Sequence, residues 1–260
     1  MRRLDAIALV WWVAGTAAVF FMLAPLVALF VFSFSAGSVL TLPVTGWSVR
    51  WYRELAATPE FWIALKNSLV VCVAVGFAST TVGTMAAMAM ARLPARRAGA
   101  LISVFSLPVM LPPLVLALSM LTFFVGTGLG LGLPTVILGH LVYTLPFVVL
   151  IVYARMAAFD PAIIDSARDL GASPWRTFAT VVLPVARPTI IGAALVAMAL
   201  SLDDFVIALF TIGGGNTLPT FMWGMLRKGV NPGINVVGVV LVTLILVASL
   251  LALRVTRYRG

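Results

Sequence analysis

DSARDLGASPWRTFATVVLP, Asp165 to Pro184, is the stretch on which the reading of the whole chain turns. It carries four charged residues, a glycine and two prolines inside a chain that is 62% hydrophobic. Its start signal lies just upstream. Asp160-Pro161 has the form of an N-cap followed by proline at the first helical position, where a missing N–H costs nothing. Residues 162–170 then suffice for about two and a half turns. Gly171 suits the left-handed position that ends a helix, and Ser173-Pro174 repeats the start signal. These signals predict two short helices at an angle, hinged at Gly171. The second runs from Pro174 to about Val182 and stops near Pro184. Ile163, Ile164, Ala167 and Leu170 fall near one face of the first helix, with Asp165, Arg168 and Asp169 around the rest. A helix built this way belongs on a surface. It lies flat on lipid, or it docks on a protein partner through the same greasy face.

The surrounding sequence is made for lipid. Mean hydropathy is +1.15 and charged residues make up 10% of the chain, against about 25% in soluble domains. A membrane-spanning helix needs about 20 mostly apolar residues. Six segments qualify: 7–32, 67–91, 100–124, 131–153, 189–211 and 235–253, with 154–188 left as a loop. The first is longer than the apolar core of a signal peptide. The expected fold is therefore all-α, a single membrane domain over 1–260 with six transmembrane helices and both termini on one side. Of the 17 Lys and Arg residues, twelve lie at the termini or in the second and fourth loops, Arg92, Arg168, Arg176 and Arg259 among them. The other five include Arg50, Arg53 and Lys66. The positive-inside rule places the twelve, and both termini, in the cytoplasm. The net charge of +9 thus reads as an orientation signal, and nucleic acid is not an expected partner.

Several reactive chemistries are excluded. One cysteine, Cys72, rules out an intrachain disulfide, and one histidine, His140, leaves too few ligands for a usual zinc site. No metal and no catalytic residue is expected. The G-x-x-x-x-G-K-[ST] loop is absent, so the chain is not expected to bind ATP as P-loop proteins do. No H-E-x-x-H or G-x-S-x-G motif occurs. Pro108, Pro112 and Pro113 in the third segment and Pro146 in the fourth read either as packing kinks or as hinges beside a transport path. His140 and Tyr143 share one face of the fourth segment and read as a polar pair satisfied in the core, with a proton relay as the other reading. Trp47, Trp51 and Trp62 fall in the first outer loop, as an interfacial anchor or as a docking surface for an external protein.

A second polar feature lies in the fifth segment, where Asp203 and Asp204 stand side by side. An ionised Asp at the centre of a membrane helix costs about 2.5–3.5 kcal/mol on insertion scales. Adjacent residues lie about 100° apart around a helix, so one carboxylate can face a path while the other caps or pairs. The structural reading is an ion pair with Arg227 or Lys228, or satisfaction of a broken helix. The functional one is passage of a cationic substrate, with Phe205 offering a ring face to an ammonium.

The spacing in the opening stretch resembles the cytoplasmic signature of permease subunits of ABC importers: Glu-Ala-Ala, three residues, Gly, nine residues, Ile-x-Leu-Pro. Here the matching residues are Asp165-Ser166-Ala167, Gly171, and Val181-Val182-Leu183-Pro184. The departures are Asp for Glu, Ser for the first Ala and Val for Ile. The resemblance implies the type I importer permease fold and assigns Asp165, Ser166, Ala167, Gly171, Ala172, Ser173, Pro174, Leu183 and Pro184 to a loop that couples to an ATPase. SLDDFVIALFTIGGGNTLP, 201–219, with RKGVNPGIN, 227–235, and GWSVRWYREL, 46–55, further resembles the second-type subunit of spermidine/putrescine permeases. It implies a polyamine cargo guided by Asp203, Asp204 and Phe205. The implied partners are a second, homologous permease completing a heterodimer, two ATP-binding subunits that hold the ATP and Mg, and a periplasmic binding protein. The implied location is the bacterial inner membrane, the chain itself carrying no cofactor and catalysing nothing. Two other readings stay open. One is an importer for another small solute, such as an opine, an amino-phosphonate or a metal chelate. The other is an intramembrane enzyme or stand-alone channel using the two acids.

Overall fold

A computed structural model describes residues 2–41 and 43–257; the tail arginine Arg259 lies outside them. The described residues are almost wholly helical. In chain order the helices are α1 (Arg2–Ser33), α2 (Arg50–Ala56), α3 (Pro59–Met90), α4 (Ala95–Met110), α5 (Pro113–Gly126), α6 (Leu133–Ala157), α7 (Pro161–Asp169), α8 (Pro174–Thr177), α9 (Leu183–Asp203), α10 (Val206–Thr211), α11 (Leu218–Lys228) and α12 (Pro232–Arg257). Between α8 and α9 the five residues Phe178–Val182 form a π-helical turn. Five of these stretches are long and apolar enough to cross a membrane, six if the bent pair α4–α5 counts as one span.

Three expected segments differ in ways that proline and aspartate explain. The third, 100–124, is two helices meeting at 95°. A residue before proline is pushed out of the helical region. Leu111 and Pro112 accordingly adopt extended backbone, with ψ of 142° and 133°, and α5 restarts on Pro113. The fifth, 189–211, stops at Asp203, because Asp204 is extended with ψ 121°. The short helix expected to stop near Pro184 instead runs on, giving continuous helix from Pro174 to Asp203. There the Leu183 N–H bonds the Phe178 carbonyl five residues back. The wider turn makes room for the Pro184 ring, which an ordinary α-turn would drive against a carbonyl. Pro146, by contrast, sits buried in an unbroken α6.

The chain divides into two compact units, residues 1–62 with 222–243, and residues 63–221 with 244–260. In the first, α1 meets α2 through Ser33 Oγ and the Tyr52 hydroxyl, 2.8 Å apart. The expected outer tryptophans differ in setting. Trp51 is buried and donates its indole N–H to the Ser35 carbonyl. Trp62 lies on α3 rather than in a loop, half-exposed, and donates to the Ala56 carbonyl. Trp47 is exposed. The large side chains along α1, Phe20 and Phe21 among them, are exposed as well, which suits lipid or a neighbouring apolar surface and not water.

In the second unit α6 packs most closely against α9. Lipid tails are as apolar as leucine, so membrane helices associate through close van der Waals contact over small residues. Ala87, Val148, Val152, Ala193 and Ala197 form one such cluster and are fully buried. A second cluster joins α5 to α10 through Leu116, Ala117, Met120, Phe124 and Ile207. Gly139 on α6 sets the approach of α10, since a Cβ there would lie 2.6 Å from Ile207 Cγ2 and 3.3 Å from Met120 Sδ. Gly139→Val is expected to destabilise the protein by about 1–3 kcal/mol through overpacking. A lower melting temperature of the purified protein in detergent reads this, and an unchanged one contradicts it.

Candidate functional sites: the α7–α8 pair and the broken membrane helix

The α7–α8 pair is built by its caps. Asp160 Oδ1 accepts the Ala162 N–H at 2.9 Å, and Ser173 Oγ accepts the Arg176 N–H at 3.3 Å. Gly171 has φ +81°. Its N–H bonds the Arg168 carbonyl at 2.8 Å while the Ala172 N–H reaches Ala167 at 3.1 Å, the paired bonds of a Schellman ending. Asp165, Ser166, Ala167, Gly171, Ala172, Ser173 and Pro174 are thus brought into one compact helical corner. Leu183 and Pro184 are not in it; they begin α9 beyond the π-turn.

The apolar residues of α7 split instead of sharing one face. Ile164 and Ala167 are half-buried, and Ile164 lines a cavity of about 250 Å³ with Met88, Arg92, Met156, Phe159 and Phe178. Ile163, Leu170 just past the end of α7 and Trp175 of α8 point away and are exposed, Leu170 by 90% and Trp175 by 74%. A helix end that seats one apolar set on its own unit and offers another outward has the form of a docking surface.

The break after α9 is a built polar site. Asp204 Oδ1 accepts the backbone N–H of Ile207 at 2.9 Å and of Ala208 at 3.1 Å. A short acidic side chain that bonds the backbone in this way competes with helix continuation, so the residue that breaks α9 also caps α10. The far end of α10 is tied to α6, where the Thr211 carbonyl accepts from Gly132 N–H at 3.1 Å and from Thr135 Oγ1 at 2.8 Å. His140, buried on α6, places Nδ1 2.9 Å from Ser201 Oγ and Nε2 3.2 Å from Asp204 Oδ1. The latter contact is close enough for an ion pair if the ring is protonated, but its angle makes no hydrogen bond. Tyr143, the expected partner of His140, is near enough to interact electrostatically with both Asp204 and Asp203.

The two acids stand in opposite electrostatic settings. Asp204 is 11% exposed in its side chain and faces the N-terminal, positive end of α10. Asp203 is exposed and is the last residue of α9, where the negative helix end opposes an anion by about 0.3–1 kcal/mol. Among the described residues Asp203 has no ion-pair or hydrogen-bond partner. Phe205 is half-buried between the two helices. Sequence reasoning placed the acids but missed His140 and Ser201 as their neighbours. A histidine within a membrane span is a signal in itself, but its partners lie 61 and 64 residues away in the chain.

A protein-family model for the inner membrane component of binding-protein-dependent transport systems matches residues 79–258. The chain belongs to this family. Among curated relatives, the putrescine transport system permease protein PotI of Escherichia coli (strain K12) is 34% identical over 223 residues, covering 83% of this chain and 79% of that protein. The spermidine/putrescine transport system permease protein PotC of the same strain is 30% identical over 233 residues, covering 89% and 88%. Among solved structures, a chain of a bacterial ABC transporter that imports the acidic polysaccharide alginate matches with a TM-score of 0.76 at 16% identity, over 99% of both chains. The inward-facing MetNI methionine ABC transporter matches with a TM-score of 0.61 at 22% identity, over 78% of this chain and 99% of the other. The fold is that of ABC importer permeases, and the chain is a multi-pass membrane protein. A fold shared with a carrier of an acidic polysaccharide leaves the cargo to be argued from the site.

Proposed function

We propose that this chain forms half of the translocation path of a bacterial ABC importer for a polyamine, in the inner membrane with both termini cytoplasmic. The observation that carries the reading is Asp203: an exposed carboxylate with no neutralising partner among the described residues, at the end of a helix whose dipole disfavours it. Such a site attracts a cation, and the relatives named for putrescine and spermidine agree with that sign. The segment Asp203–Phe205 borders the path, with Phe205 offering a ring face to an ammonium. A second, homologous permease closes the path, a periplasmic binding protein delivers the polyamine, and two ATP-binding subunits, which hold ATP and Mg, dock on the residue 154–188 region. The corner from Asp165 to Pro174 is the contact, with Leu183 and Pro184 at the base of the following helix.

The architecture supplies the linkage. From Pro174 the helix runs 30 residues to Asp203, on the order of 45 Å at the α-helical rise. One element therefore joins the docking corner to the acidic break, and α6, packed along it, leads at one end into α7. When ATP draws the ATPase subunits together, the capped corner moves as a rigid piece and shifts α9 against α6. The path then opens to the other side of the membrane.

Uptake competition tests the cargo. Unlabelled putrescine and spermidine are expected to suppress uptake of labelled putrescine in cells carrying the complete importer, while opines, amino-phosphonates and metal chelates leave it unchanged. Suppression by one of the latter, with no effect of polyamines on it, moves the assignment to that solute.

A further inference from the structure

The groups around the break are not equivalent. His140 is the one histidine of the chain and is 1% exposed. The bond between its Nδ1 and Ser201 Oγ fixes the ring and turns Nε2 toward Asp204 Oδ1. Nε2 makes no hydrogen bond of its own. A buried polar atom left so is costly, and here it lies 3.2 Å from the carboxylate that caps α10. That oxygen already accepts two backbone N–H groups. Asp204 Oδ1 therefore accepts from the backbone of α10 and lies 3.2 Å from His140 on α6, while Asp203, one residue earlier, makes no hydrogen bond or ion pair among the described residues.

We infer that His140 is a positioning residue: oriented by Ser201, it holds the Asp204 carboxylate on the first turn of α10, so that Asp204 maintains the helix break and Asp203 is the acid that meets the cationic cargo. The division of labour rests on the cation reading proposed above. It follows from placement. The cap engages Asp204 Oδ1 with two backbone N–H groups and turns it toward the positive end of a helix. Asp203 keeps its charge exposed at a negative one. His140 acts on transport only through Asp204, by stopping the cap from swinging free and adding a second loose carboxylate to the path.

The test uses the complete importer, with both permeases, the ATPase subunits and the binding protein, and measures KM and maximal rate for putrescine, a dication, and spermidine, a trication. Asp203→Asn is expected to raise KM at least about fivefold more than Asp204→Asn does, since asparagine still caps a helix but carries no charge. His140→Ala is expected to change the ratio of the spermidine and putrescine KM values, as the freed carboxylate joins Asp203. His140→Gln, whose amide can reach Asp204 as a donor, is expected to restore the ratio. A histidine that only fills space lowers both maximal rates together and leaves the ratio alone, which overturns the positioning role. Equal KM effects of Asp203→Asn and Asp204→Asn overturn the division of labour with the cation reading intact. A melting-temperature cycle on the purified assembly needs no cargo. His140→Ala with Asp204→Ala is expected to melt with the worse single variant, because the two act through one contact. Additive losses overturn the coupling. If neither acid affects KM while the melting cycle is non-additive, the cation reading falls and the His140–Asp204 coupling stands.

Discussion

Gly171→Pro is expected to leave the importer assembled and hydrolysing ATP while uptake falls at least about tenfold, the equivalent of roughly 1.4 kcal/mol of lost coupling. Gly171 holds φ +81°, and proline is confined near −65°. The substitution also removes the N–H that bonds the Arg168 carbonyl at 2.8 Å. Both bonds of the Schellman ending are lost, and α7 no longer meets α8 at a set angle. The exposed Leu170 and Trp175 then present the wrong surface to the ATPase subunit. The substitution lies outside the membrane-spanning helices, so insertion and packing of α6 and α9 are untouched. Gly171→Asn is the control. Asparagine tolerates the left-handed region, and a Cβ at this position meets nothing within 4 Å. Uptake near the unsubstituted level is expected from it. Coupled transport unchanged in Gly171→Pro excludes the corner as the coupling element.

Joint replacement of Asp203 and Asp204 by Asn is expected to raise the KM for putrescine by about tenfold or more, the lost charged hydrogen bond between Asp203 and an ammonium being worth about 1.5–3 kcal/mol. The fold should survive it. Asparagine accepts the Ile207 and Ala208 N–H bonds as aspartate does, and a neutral side chain at membrane depth is cheaper to insert than a charged one. Expression and ATP hydrolysis by the assembly are therefore expected to persist as uptake fails. Normal uptake in the double variant removes the acids from the path.

The helix pair after α6 was legible because its signals are local: Asp160, Pro161, Gly171, Ser173 and Pro174 each dictate their own backbone. The span count was legible because apolar length alone sets it. The continuity of helix through Pro184 was not, because it depends on a π-turn, and a proline on its own reads as a stop. The 95° corner at Leu111–Pro112 was only half legible. The prolines announce a break, but its angle depends on what the two helices pack against. The break at Asp203–Asp204 was visible as charge, and capping of a broken helix was one of the roles open to it. Which acid takes that role depends on His140 and Ser201, brought together by the packing of α6 on α9. That contact is tertiary, and one sequence does not display it.

Polyamine cations are expected to pass along this chain on a path driven by ATP at the α7–α8 corner. Proteoliposomes containing the complete importer, supplied with binding protein and labelled putrescine, test it most directly. The expected result is putrescine accumulation that requires ATP, saturates, is suppressed by spermidine, and is lost in the Asp203→Asn, Asp204→Asn double variant. ATP-driven accumulation of another solute with none of putrescine or spermidine, unaffected by the double variant, would contradict it.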